Sequence, residues 1–281
     1  MYNHYGVTTL DDLIKKINME KNYPDYDSSY LDRLEKALIS IRSKYENILV
    51  VPATLPMKKF EDIKWDERNI EIAKYFEDMV RLITKSKRYY LISGVIENSD
   101  ADHILIVGKP DGLNFEGKMG NKANIYEVKS FDLNGFYTMS ESKNDEDLIK
   151  KVLNRIKIIS SQLIVYQYLL KRTIEHGLIG RVENINLRGK IYFHFHGDRE
   201  CLYDAEKIIR QNIRKIISGA VKYNAYNFIL KKGKPIYINN EEIYYFEIRF
   251  RTKYNQKAIE IYFNDLNKLL KSLKLVDNGS L

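Results

Sequence analysis

A single cysteine, Cys201, is all the thiol in this chain of 281 residues, which excludes an intrachain disulfide framework and a thiolate zinc site. Proline is nearly as scarce, with five in all. Pro52 and Pro56 fall where the apolar run Ile48 to Val51 gives way to irregular chain. No stretch approaches the roughly 18 to 20 consecutive apolar residues of a membrane span, so no membrane partner is expected. Asp11 and Asp12 interrupt the amino terminus before an apolar leader can develop; a soluble, cytoplasmic protein is the expectation. Repeats are absent, and low complexity is confined to the tail Asp277-Asn278-Gly279-Ser280-Leu281.

A strong charge of one sign is lacking too. Bases number 46 against 38 acids, a formal excess of +8. That excess favours a polyanion through counterion release, and it serves solubility equally well. Lys207, Arg210, Arg214 and Lys215 fall on one expected helix, and Lys222, Lys231, Lys232 and Lys234 follow with Tyr223, Tyr226 and Phe228 among them. Bases interleaved with aromatics suit a single strand of nucleic acid, whose phosphates and bases they would contact. A solvated cationic helix face reads the same way.

The chemistry-bearing residues lie in Gly108-Lys109-Pro110-Asp111-Gly112 and Ile125-Tyr126-Glu127-Val128-Lys129-Ser130. An acid ends an apolar strand; an acid and a lysine then follow, two apart, on a second. Strand side chains alternate, so Glu127 and Lys129 share one face and Tyr126 and Val128 the other. A charged pair on an apolar strand is costly to bury without a partner. A divalent cation supplies that partner: Mg²⁺ takes oxygen ligands and keeps several waters. Asp111, Glu127 and the Val128 backbone carbonyl would be its ligands, with Lys129 beside the attacking water. By itself, the spacing equally describes a solvated ion pair.

A third element follows on an expected helix, where Gln162 and Tyr166 lie four apart and share a face. The order G-x-x-D, E-x-K, Q-x-x-x-Y resembles the PD-(D/E)xK nuclease superfamily, within it the RecB-like branch that includes CRISPR-associated exonucleases. Gly108, Pro110, Asp111, Glu127, Lys129, Gln162 and Tyr166 carry the resemblance, over about residues 66 to 220. It implies that Asp111, Glu127 and Lys129 are catalytic, with Mg²⁺ or Mn²⁺ on the two acids. It also implies that Gln162 and Tyr166 contact nucleic acid and help orient the site. The family's first motif is a helix with a glutamate and often a histidine. Ala73 stands at the histidine position, and Glu77, flanking the stripe of Ile72, Phe76, Met79, Val80 and Ile83, is the candidate glutamate and a further metal ligand. Many CRISPR-associated relatives hold an iron–sulfur cluster on four cysteines, which this chain cannot build.

The fold that follows is α/β: a restriction-endonuclease-like core with a mixed central sheet flanked by helices, plus an N-terminal helical arm. The arm is expected over residues 1–60 and the nuclease domain over 61–281. Helices are expected at Thr9 to Glu20, Tyr30 to Tyr45, Asp66 to Thr84, Asp145 to His176, Asp204 to Ser218 and Gln256 to Leu273. Strands are expected at Tyr89 to Glu97, His103 to Val107, Asn124 to Phe131, Arg188 to His196 and Ile243 to Arg251. An inserted loop is expected around Asn134 to Asp147. His194 and His196 alternate with Phe193 and Phe195 and read as the exposed face of a strand whose phenylalanines are core. His103 heads the strand leading to Asp111, while His4 and His176 belong to no constellation. The function implied is a metal-dependent deoxyribonuclease acting on single-stranded or end-containing DNA as an exonuclease. Two alternatives stand beside it: a junction-resolving endonuclease, and a catalytically weak nucleic-acid-binding subunit. A homo-oligomer is left open.

Overall fold

Residues 122–132, with Glu127 among apolar neighbours, pair along their whole length with residues 186–196 inside a sheet. The computed structural model describes residues 6–57, 66–97, 103–117, 121–139, 145–179 and 185–273. His4 and the tail at 277–281 lie outside them. The elements run β1 (Thr8–Thr9), α1 (Leu10–Glu20), α2 (Ser28–Lys44), β2 (Ile48–Pro52), α3 (Glu67–Thr84), β3 (Leu91–Glu97), β4 (His103–Gly108), β5 (Gly112–Glu116) and β6 (Lys122–Asp132). Then come α4 (Leu133–Met139), α5 (Asp145–Glu175), β7 (Asn186–Gly197), α6 (Arg199–Gln211), α7 (Ile213–Val221), β8 (Ala225–Lys232), β9 (Ile236–Ile238), β10 (Glu241–Thr252) and α8 (Gln256–Ser272). Among the described residues no helix is long and apolar enough to cross a membrane.

The architecture is mixed α/β, with mixed sheets flanked by helices. One sheet has the order β1-β2-β4-β3, the other β5-β6-β7-β10-β8, with β9 pairing β10. In the second sheet β6 and β7 are parallel and the other pairs antiparallel. A parallel neighbour requires a long crossover, here α4 and α5. The amino-terminal segment, expected as a helical arm, contributes more than helices: β2 lies between β1 and β4 and pairs with β4 in parallel.

Both faces of the β6–β7 pair are covered. Ala123, Ile125, Ile191, Phe193 and Phe195 join the large core that includes α5. Tyr126 and Val128 pack with Ile72, Phe76 and Val80 of α3 in a second core. His194 and His196 lie on that second face and are buried, not exposed as expected. The reason is α3: the Phe76 ring stacks on His194 with centroids 4.1 Å apart and planes within 6°. Burial of such a phenylalanine contributes roughly 1.5–3 kcal/mol. Burial pulls the His194 imidazole below its ordinary value, against the pull of Glu247. Ile83, expected in the stripe of α3, is instead exposed.

Local signals set several boundaries. The Thr9 side chain caps α1 by accepting from the Asp12 amide at 3.2 Å, and Asp66 caps α3 by accepting from the Arg68 amide at 3.3 Å. The expected helix Asp204 to Ser218 is two, α6 and α7, divided at Asn212. Of the loop expected around Asn134 to Asp147, residues 134–139 belong to α4, 140–144 lie outside the described residues, and 145–147 open α5.

Candidate active site

The first of the candidate residues, Asp111, is fixed by the end of a ladder. β5 pairs with β6 up to Gly112 opposite Tyr126, so the next amide of β6 facing that edge, Val128, has no strand partner there. Asp111 supplies one: its Oδ2 accepts from Val128 N–H at 2.7 Å. The N–H and C=O of one strand residue face the same neighbour, so the Val128 carbonyl opens toward the same edge. Behind Asp111, the Arg81 guanidinium donates to the Asp111 carbonyl at 3.4 Å. Arg81 is itself buried and also paired with Asp25 and Asp78.

Glu127 lies on the α5 face of β6, as alternation requires, and only 1% of its surface is exposed. Its Oε1 accepts from Lys129 Nζ at 2.5 Å and from Gln162 Nε2 at 2.6 Å. Its Oε2 is buried with no hydrogen-bond partner. Lys129 Nζ also stands 3.8 Å from Asp111 Oδ2, with 34% of its side chain open to solvent. Burial pushes the Glu127 carboxyl up to about 8, the Asp111 carboxylate adds to this, and the Lys129 ion pair is not enough to reverse it. For Lys129, desolvation pulls downward, but Glu127 and Asp111 outweigh it and hold the ammonium above its ordinary value.

Gln162 and Tyr166, one turn apart on α5, are both buried. Gln162 Nε2 donates to the Tyr166 hydroxyl at 2.9 Å, and that hydroxyl donates to the Lys109 carbonyl at 3.4 Å. The expected pair thus forms a bridge from the Lys109 backbone to Glu127. Its polar groups are hydrogen-bonded inside the protein. Gly108 makes room for it, since a Cβ there would come within 2.8 Å of the Tyr166 ring and of Leu169.

Glu77 faces the edge of this group. Its Oε2 lies 2.8 Å from Arg88 and 3.7 Å from Arg81. Burial and the Asp111 carboxylate raise its carboxyl, against the pull of Arg88 and Lys129. His103 sits at the opposite end of β4 from Gly108, against the Tyr45 ring, and does not join the site. The basic-aromatic stretch after α7 is the edge strand β8, where Phe228 stacks on Phe250 at 5.0 Å inside the sheet. Sequence reasoning missed Arg81 and Arg88, because neither lies in a motif and their partners Asp25, Glu77 and the Asp111 carbonyl are brought to them only by the fold.

The donor set suits a hard divalent cation. A buried carboxylate oxygen lacks a partner, a second carboxylate stands nearby, and a carbonyl opens beside it. Among the described residues no three His, Cys, Asp or Glu side chains are grouped to hold a metal. Two carboxylates suffice for Mg²⁺, which completes its shell with waters and substrate phosphates. A comparison with family models, curated proteins and solved structures finds no match.

Proposed function

We propose that this chain is a metal-dependent deoxyribonuclease with a restriction-endonuclease-like core of the RecB-like branch. It would hydrolyse phosphodiester bonds of single-stranded or end-containing DNA in the cytoplasm. The observation that carries the reading is Glu127, buried, with one oxygen on Lys129 and Gln162 and the other unpartnered. A group so placed is stable as a carboxylate only with a cation at its open oxygen.

Asp111, Glu127 and the Val128 carbonyl would hold Mg²⁺ or Mn²⁺. When bound, the ion acidifies a water and offsets charge on the phosphodiester. Lys129, an ammonium at neutral pH, donates to the negative charge that develops as water oxygen bonds to phosphorus and the leaving oxygen departs. The raised value of its ammonium favours this donor role over that of a base. Gln162 holds the Glu127 carboxylate in one rotamer, and Arg81 holds the loop of Asp111.

The test is cleavage of end-labelled linear single-stranded DNA with Mg²⁺ or Mn²⁺, beside Lys129→Ala and a chelator. Removing one such donor lowers turnover by about 10²–10³-fold, and the chelator should abolish cleavage. Circular and four-way-junction substrates separate an exonuclease from a junction-resolving endonuclease. Bound but intact DNA of every form would sink the catalytic reading and leave a binding subunit.

A further inference from the structure

A cavity of about 400 Å³ adjoins this site on its amino-terminal side. It lies where the parallel strands β2 and β4 end, walled by Pro52, Ala53 and Thr54 at the end of one and by Val107 and Lys109 at the end of the other. The carboxyl ends of parallel strands are a common place for ligands in α/β sheets, and the volume is that of a small-molecule site. Tyr166 and Lys109 belong to both: they line the cavity, and their hydroxyl and carbonyl form the bridge to Glu127.

Its walls combine ring, hydroxyl and ammonium groups. Tyr90 and Tyr166 give aromatic surface, Leu13 and Val50 give apolar surface, and Thr8 and Thr54 give hydroxyls. Lys16 from α1 and Lys109 both line it, close enough for the charge on Lys16 to weigh against that on Lys109. Lys109 is held by Glu20 at 3.1 Å. Lys16 makes no ion pair among the described residues and is exposed. One anionic group, Asp12, also lines the cavity, with its carboxylate on the hydroxyls of Thr8 and Thr9.

We infer that this cavity receives the terminal nucleotide of a strand, with its phosphomonoester drawn to Lys16 and Lys109 and its base against the tyrosines. This rests on the nuclease reading for its setting, while the binding it predicts does not require cleavage. A terminal monoester carries a charge of about −1.5 to −2 at neutral pH, against one for an internal diester. Lys16, the one of the two lysines without a carboxylate partner among the described residues, therefore favours an end over the middle of a strand.

The experiment titrates the full chain with deoxyadenosine monophosphate by calorimetry, in chelator so that nothing is cleaved. A parallel titration follows labelled oligonucleotides that end in a 5′-phosphate, a 3′-phosphate or hydroxyls only. Lys16→Ala should weaken both phosphorylated probes by about fivefold, as expected for loss of one partly exposed charge contact. Asp12→Asn should tighten them, and Thr54→Trp, which fills the cavity, should abolish binding of the free nucleotide. Those results support the inference whether or not the chain cuts DNA. Absence of nucleotide binding, or binding indifferent to all three substitutions, overturns it even if the chain is an active nuclease. If the free nucleotide binds as described but phosphorylated ends bind no better than hydroxyl ends, the cavity serves free nucleotides and the strand-end assignment falls.

Discussion

Gln162 on α5 stands with its side-chain amide 2.6 Å from Oε1 of Glu127 on β6, so a helix in the core sets the rotamer of a strand carboxylate. Gln162→Ala leaves that oxygen to Lys129 alone. Orienting partners of metal ligands are worth about 10–100-fold in affinity, so Mn²⁺ binding by calorimetry should weaken by that order. An unchanged Mn²⁺ affinity would remove Gln162 from the site.

Gly108 lies between β4 and α5 with no room for a methyl group. Gly108→Ala forces the Tyr166 ring or Leu169 out of place, and overpacking of this kind costs about 1–3 kcal/mol. Urea denaturation should show a lower midpoint, and Mn²⁺ affinity should fall with it because Tyr166 carries Gln162. A midpoint equal to wild type would mean that the neighbours yield freely.

Glu127 makes the metal-free protein sensitive to pH. Its carboxyl sits near 8 in the fold against an ordinary value of 4.5, so between those limits the folded state keeps a proton that the unfolded state has released. Stability then falls as pH rises, by at most about 1.4 kcal/mol per unit. Denaturation between pH 5 and 8 should show this slope in chelator, and Glu127→Gln should flatten it. A slope unchanged in that variant would assign the dependence elsewhere.

Arg81 joins α3 to the turn before α2 and to the Asp111 loop through Asp25, Asp78 and the Asp111 carbonyl. Arg81→Met keeps much of the stem and removes the charged donors. A loss of about 1–3 kcal/mol is expected, in line with hydrogen bonds from a charged group to partly exposed partners. If the Asp111 loop depends on it, Mn²⁺ affinity falls as well; a change in stability alone would confine Arg81 to the fold.

Periodicity alone located most of the long elements. The strands at β4, β6, β7 and β10 and the helices α1, α2, α3, α5 and α8 fall close to their expected positions, because each has a clear apolar alternation or stripe, and four of the helices a side-chain cap. The shared face of Glu127 and Lys129 was legible for the same reason. What covers a face was not: His194 and His196 looked solvent-facing because nothing in their own strand reveals that α3 lies over them. The short strand β5 has no lasting alternation. In β8, Asn227 takes a left-handed conformation where the register against β10 shifts between Arg249 and Arg251, a bulge that breaks the alternation.

β6 and β7 are parallel neighbours joined through α4 and α5, and α5 is also the holder of Gln162 and Tyr166. During synthesis the ribosome delivers Asp111, Glu127 and Lys129 well before the strand against which β6 must pair. Until β7 emerges, β6 lacks its parallel neighbour, although α5 can already pack on β3, and non-local pairing of this kind forms late. A nascent chain therefore carries Asp111, Glu127 and Lys129 for some time before the second sheet is complete. β6 thus pairs with β7 in that sheet only after every residue of the candidate site has been made.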